Sequence, residues 1–131
     1  MRGCVLIVDD NAIIRRMLRS LFEVDDFEIC EAENGAEGVK KAQELNPRLV
    51  ILDLSMPVMN GLEAARALHL TMPHIPLLMF TSNGGTAIEE EARSAGIFAV
   101  ISKSEADASR QLVAHAKTLL GLDGVDVKYA S

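Results

Sequence analysis

Four runs of consecutive apolar residues punctuate the chain: Cys4 to Val8, Leu49 to Leu52, Leu77 to Phe80 and Ile97 to Ile101. Each is too short for a buried helix, and none alternates with polar residues. That is the mark of strands covered on both faces in a parallel sheet. A weaker strand, Phe27 to Glu31, is interrupted by acids and reads as an edge. Elsewhere the apolar spacing is helical. On a wheel of about 100° per residue, Asn11 to Glu23 gathers Ile13, Ile14, Met17, Leu18, Leu21 and Phe22 on one half, with Arg15, Arg16, Arg19, Ser20 and Glu23 on the other. The apolar arc is broad, so its edge residues, Ile13 and Phe22, need not both be buried. Asn34-Gly35 turns the chain into a helix from Ala36 to Leu45, with Val39, Ala42 and Leu45 inward, which Asn46-Pro47 ends. Later helices run from Asn60 to Leu70 (Leu62, Ala65 and Leu68 inward), Thr86 to Ala95 with Gly96 as its cap, and Glu105 to Leu120 (Leu112, Ala116, Leu119 and Leu120 on one side). Strand and helix alternate with short connections, which predicts right-handed βαβ units and a parallel sheet with helices on both faces.

Composition narrows the function classes. At 131 residues, 49% hydrophobic, with no Trp, one Tyr and four Phe, the chain supports one domain with an aliphatic core. Thirteen Lys and Arg against nineteen Asp and Glu leave a net charge of −6 and no basic stripe, which argues against direct nucleic-acid binding. No apolar run approaches a membrane span, and Met1-Arg2-Gly3 leads straight into a strand rather than a signal peptide. Cys4 and Cys30 lack metal-ligand spacing and read as small hydrophobes in a reducing cytoplasm. His69, His74 and His115 fall on different elements without ligand spacing, and Glu89, Glu90 and Glu91 read as a solvated helix face.

The chemistry collects at the strand ends. A parallel sheet puts every carboxyl end on one edge, where open α/β sheets place their ligands. In chain order those ends supply Asp9-Asp10, Asp53, Thr81-Ser82 and Lys103, beside the flexible turn Asn83-Gly84-Gly85. Pro57 cannot extend the central strand, Asn60 can cap the next helix, and Gly61 allows a tight approach. Three close carboxylates repel unless something positive compensates them, and a hard, oxygen-seeking cation such as Mg²⁺ is the natural partner. Lys103 adds a point charge for a carboxylate or a phosphoryl oxygen, and Thr81 a hydrogen bond. Asp53 is then the nucleophile that forms an acyl phosphate.

These residues carry a resemblance. From Val5 to about Leu120 the chain resembles the receiver domain of two-component response regulators, through Val8-Asp9-Asp10, the stretch from Asp53 to Gly61, Thr81-Ser82 and Ser102-Lys103. The resemblance implies a flavodoxin-like, doubly wound five-stranded sheet of order 2-1-3-4-5 with five helices, an order known for this fold. It also implies phosphorylation of Asp53 by a sensor histidine kinase or a phosphotransfer protein, with Mg²⁺ on Asp10, Asp53 and the Ser55 backbone carbonyl. Asp9 acts through water in that scheme, and Thr81 and Lys103 contact the phosphoryl group. Two departures stand out: Val100 where the family usually has an aromatic residue, and Ser104 where it usually has proline. The Lys103-Ser104 bond is therefore expected to be trans.

The reading is a phosphoacceptor switch rather than a turnover enzyme, acting in the cytoplasm on a downstream protein or an attached output domain. A Mg²⁺-dependent phosphohydrolase with Asp53 as nucleophile fits less well, because such enzymes usually want a second acid where Ser55 stands. A flavin carrier of the same topology would have to place a phosphate against Asp9-Asp10. Residues 1 to 120 are expected to form the receiver domain, and 121 to 131 a C-terminal tail or linker start. The chain is then a stand-alone receiver or the N-terminal part of a longer regulator.

Overall fold

The computed structural model describes residues 3–23 and 26–122. In chain order they form β1 (Cys4–Val8), α1 (Ala12–Glu23), β2 (Glu28–Ala32), α2 (Gly35–Leu45), β3 (Leu49–Leu52), α3 (Gly61–Thr71), β4 (Leu77–Thr81), α4 (Thr86–Ser94), β5 (Ile97–Ser102) and α5 (Ala108–Leu120). The strands make one parallel sheet in the order β2-β1-β3-β4-β5, with β2 at an edge as its interrupting acids predict. β1, β3 and β4 are buried throughout, the continuous apolar signature of a sheet covered on both sides.

Alternation along each strand divides the core. Val5 and Ile7 of β1, Leu49 and Ile51 of β3 and Leu78 and Phe80 of β4 meet Leu18 and Phe22 of α1 and Leu112 and Ala116 of α5. Leu6, Val8, Val50, Leu52, Leu77 and Met79 face the other way, onto Ala42, Ala65, Leu68 and Ala92 of α2, α3 and α4. The helix after β1 thus covers one face and the helix after β3 the other. The cleft this opens between the carboxyl ends of β1 and β3 is the topological switch point.

Local chemistry explains most boundaries. Asn11 caps α1, its Oδ1 accepting from the amides of Ile13 and Ile14. Asn60 and Glu63 form a reciprocal capping box at α3. Asn46 closes α2 in the left-handed conformation, and Gly96 follows α4 at φ +90°. No peptide bond among the described residues is cis, Lys103-Ser104 included.

Three expectations change. Asn34 is the cap of α2 rather than a turn residue, its side chain accepting from the Glu37 amide, so the helix begins at Gly35. Leu45, the last residue of α2, is exposed, while the buried face of that helix runs through Gly35, Gly38 and Ala42. The broad arc of α1 keeps only one of its edge residues inside, as expected: Phe22 enters the core and Ile13 stays 75% exposed. α5 starts at Ala108 rather than near Glu105, because successive turns closed by Glu105 N–H to Ser102 O and Ala108 N–H to Glu105 O occupy the preceding residues. The tail from Asp123 to Ser131 lies outside the described residues.

The cysteines and histidines are structural. Burial, followed by the neighbouring Cys30, pushes the Cys4 thiol up to about 12, which keeps it protonated and inert. His115 meets Phe98 edge-on at 5.9 Å, His74 hydrogen-bonds Asn46, and the His69 ring lies against Gly96. Among the described residues no helix is long and apolar enough to cross a membrane.

Candidate functional site

The strand ends do converge. One carboxylate oxygen each from Asp9, Asp10 and Asp53 lies within 4.8 Å of the others. Asp9 is 2% exposed and Asp53 7%, whereas Asp10 faces solvent. Lys103 enters from the end of β5 and donates to Asp9 Oδ2 at 2.8 Å, with Asp53 Oδ2 at 3.5 Å. Its ammonium also lies 5.9 Å from the centre of the Phe80 ring. The buried Thr81 hydroxyl lies near enough to Asp53 to favour its charged form, and it accepts from the Asn83 amide at 3.2 Å. The Leu54 amide donates to Asp53 Oδ1 at 2.8 Å. Asp53, Thr81, Lys103 and the acid pair therefore form one cluster.

Ser55 follows Asp53 by two residues. It sits on the exposed loop after β3, and its hydroxyl accepts from Asn83 Nδ2 at 2.8 Å. That bond ties the loop after Asp53 to the glycine-containing loop after β4. The β3–α3 loop is otherwise held by a γ-turn, Met59 N–H to Pro57 O at 2.7 Å, which places Val58 at φ +70° and 83% exposed. A β-branched residue there is unusual and strained. At the far end of the loop, a Cβ on Gly61 would lie 2.1 Å from the Asp53 carbonyl oxygen, so only glycine lets α3 start directly beneath the site. Met56 and Met59 are half-buried beneath this rim.

Burial, then the Asp9 charge, pushes the Asp53 carboxyl above its ordinary 3.8, against the pull of Lys103, Thr81 and the Leu54 amide. One ammonium thus does not compensate the pocket. The donors are hard oxygens with excess negative charge, the chemistry that suits Mg²⁺ better than soft metals. Asp9, Asp10 and Asp53 are the residues able to hold such an ion.

Sequence reasoning passed over Arg15, Arg19 and Glu31. Arg15 Nε donates to Glu31 Oε1 at 2.9 Å, and Arg19 NH2 to Glu31 Oε2 at 2.7 Å. Burial favours the neutral Glu31 carboxyl, but the two guanidiniums outweigh it and hold the group below its ordinary 4.5. The available signal was two arginines one turn apart on the polar face of α1, opposite the acid at the end of β2.

Comparison with known proteins gives the site its context. Residues 5–117 match the family model described as the response regulator receiver domain. Transcriptional regulatory protein ResD of Bacillus subtilis is 38% identical over 116 residues, covering 88% of this chain and 47% of ResD. Chemotaxis protein CheY of Thermotoga maritima is 39% identical over 93 residues, covering 70% of this chain and 78% of CheY. The response regulator domain of Thermotoga maritima CheB superposes with a TM-score of 0.82 at 28% identity, covering 91% of this chain and 96% of that domain. The chain spans between 22% and 47% of the length of several curated relatives it matches. A family match over most of the chain, a sheet of the expected order and acids gathered at its switch point agree: the chain belongs to the response regulator receiver domain family.

Proposed function

We propose that Asp53 is the phosphoacceptor of a cytoplasmic two-component signalling switch, fed by a sensor histidine kinase or a phosphotransfer protein. A carboxylate oxygen of Asp53 attacks the phosphorus, the bond to the donor histidine breaks, and an acyl phosphate forms. Mg²⁺ on Asp10, Asp53 and the Ser55 carbonyl, with Asp9 acting through water, supplies charge neutralisation when bound. Lys103 and Thr81 meet the phosphoryl oxygens. The observation that carries this reading is the Lys103 ammonium set between Asp9 and Asp53, 2.8 Å from one and 3.5 Å from the other. The chain works as a regulated binding module rather than a turnover enzyme, read by a downstream protein or an attached output domain. Residues 1–120 are the receiver domain in this reading.

The route of the switch follows from Thr81. Its hydroxyl lies near Asp53 and accepts from the Asn83 amide, and Asn83 in turn holds Ser55. A phosphoryl group that recruits Thr81 weakens this link and frees the loop toward Thr86, where Gly85 sits at φ +150° with nothing near its Cβ position. Val100 is only half-buried and has no ring to turn inward. Amide hydrogen exchange with and without beryllofluoride and Mg²⁺ is expected to change most from Ser82 to Ala87 and little around Val100. A change confined to β5, with the glycine loop silent, contradicts this route.

Kinase docking fits the first helix. Ile13, three residues after Asp10, projects into solvent. On the same helix, Ile14 and Met17 line a cleft of about 370 Å³ with Phe80, Lys103 and the start of α5. Ile13→Ala is expected to slow phosphotransfer from a histidine kinase about ten-fold, the scale of a few lost methylene contacts. Labelling by acetyl phosphate, which needs no docking, is expected to stay unchanged. Equal rates for variant and wild type with the kinase contradict the docking site.

A further inference from the structure

We infer that Arg15 is a positioning residue for the divalent cation, acting through the Asp9–Asp10 peptide. This rests on reading Asp53 as a Mg²⁺-assisted phosphoacceptor. Arg15 lies in the first turns of α1 with its side chain only 11% exposed. Its NH1 donates to the Asp9 backbone carbonyl at 2.6 Å while its Nε is fixed on Glu31 at 2.9 Å and its NH2 lies 3.7 Å from Glu33. Arg19 grips the other Glu31 oxygen at 2.7 and 2.9 Å, so the carboxylate that anchors Arg15 is itself anchored.

The carbonyl that Arg15 holds belongs to the planar peptide leading into Asp10. Fixing its oxygen fixes the direction in which the chain leaves β1 and from which the Asp10 side chain projects. The rest of Asp9 is held independently. Its amide donates to Ala32 O at 3.1 Å, Oδ1 accepts from the Asn11 amide at 2.9 Å, and Oδ2 accepts from Lys103. Asp10 is exposed, and its placement depends on the backbone that carries it. Arg15 supplies the remaining constraint on that backbone.

Two roles for Arg15 predict opposite signs. As a bare positive charge near a cation site it repels Mg²⁺, and its removal would tighten binding. As a positioning residue it aligns the ligands, and its removal loosens binding. Supporting partners of metal ligands typically contribute 10- to 100-fold in affinity.

Isothermal titration of Mg²⁺ into Arg15→Met is expected to show a dissociation constant about ten-fold above wild type, by the same rule. Labelling by acetyl phosphate at saturating Mg²⁺ should change little. In the metal-free protein, ¹⁵N relaxation should report greater motion at the Asp10 amide. Arg19→Met loosens Glu31 but leaves the Arg15 bond to Asp9 in place, so it should raise the dissociation constant by clearly less than Arg15→Met. Arg15→Lys keeps the charge but cannot span Asp9 and Glu31 as a fork does, so it should also weaken binding, by less. An unchanged or lower dissociation constant for Arg15→Met, or equal losses for Arg15→Met and Arg19→Met, overturns the inference. Should Arg15→Met not fold, unchanged Mg²⁺ affinity in Arg15→Lys overturns it instead. Failure of wild type itself to bind Mg²⁺, or to be labelled on Asp53, defeats the functional reading and this inference with it.

Discussion

Incubated with acetyl phosphate and Mg²⁺, the wild-type chain is expected to gain one phosphoryl group by intact mass, and Asp53→Asn none. The amide keeps the shape and the contacts to Thr81 and the Leu54 amide but is no nucleophile. Full labelling of the variant would assign the chemistry to another residue. The same substitution has a stability signature. Burial, then the Asp9 charge, raises the Asp53 carboxyl above 3.8, although Lys103, Thr81 and the Leu54 amide oppose them. A raised folded-state value gives a stabilising contribution that is complete below pH 3.8 and lost as the pH rises through that folded value. At pH 7 without divalent metal, Asp53→Asn is therefore expected to melt above wild type, and the gap to narrow as the pH falls toward 3.8. Mg²⁺ should raise the melting temperature of wild type more than that of the variant. A variant less stable than wild type at neutral pH would mean that the Lys103 attraction outweighs the cost of burying the charge.

Asp10→Ala is expected to lower Mg²⁺ affinity about 100-fold, the upper end of the loss seen for supporting partners, because a direct charge is removed. Folding should not suffer. Asp10 is exposed, so little packing is lost, and relief of repulsion from Asp9 and Asp53 favours the metal-free state. Titration of Mg²⁺ followed by calorimetry reads the affinity, and thermal melting in the presence of a chelator reads the stability. An unchanged dissociation constant would remove Asp10 from the ligand set. Asp10→Ala and Asp53→Asn then separate two functions of one pocket: the first weakens metal binding, while the second abolishes the acceptor even when metal is saturating.

Where one physical effect dominated, the chain was legible. Cys4–Val8 and Leu49–Leu52 have the bounds read from their apolar runs, because both are buried throughout. β4 and β5 each extend one residue beyond their apolar run, since Thr81 and Ser102 pair across the ladder and the hydrogen bonds, not hydropathy, set the end. Hydropathy could not rank Ile13 against Phe22, which sit at opposite edges of one arc. The position of α1 against β1 and β2 buries Phe22 and leaves Ile13 in solvent. Val58 gave no sign of its left-handed backbone, because a β-branched residue argues for extended structure and only the γ-turn closing the loop imposes otherwise.

The sequence by itself determined which charges share an edge. Strand ends follow from the apolar runs, and a parallel sheet must bring Asp9, Asp10, Asp53, Thr81 and Lys103 to the same side. Which of them touch was decided only by the tertiary structure. Lys103 reaches Asp9 more closely than Asp53, across 94 positions of sequence, because strand order and side-chain reach set that distance. Arg15 on the Asp9 carbonyl and Asn83 on Ser55 arise in the same way. Local pattern fixes where a backbone ends. Contacts between side chains on separate elements depend on how those elements pack, to within fractions of an ångström, and hydropathy along one chain carries no record of that.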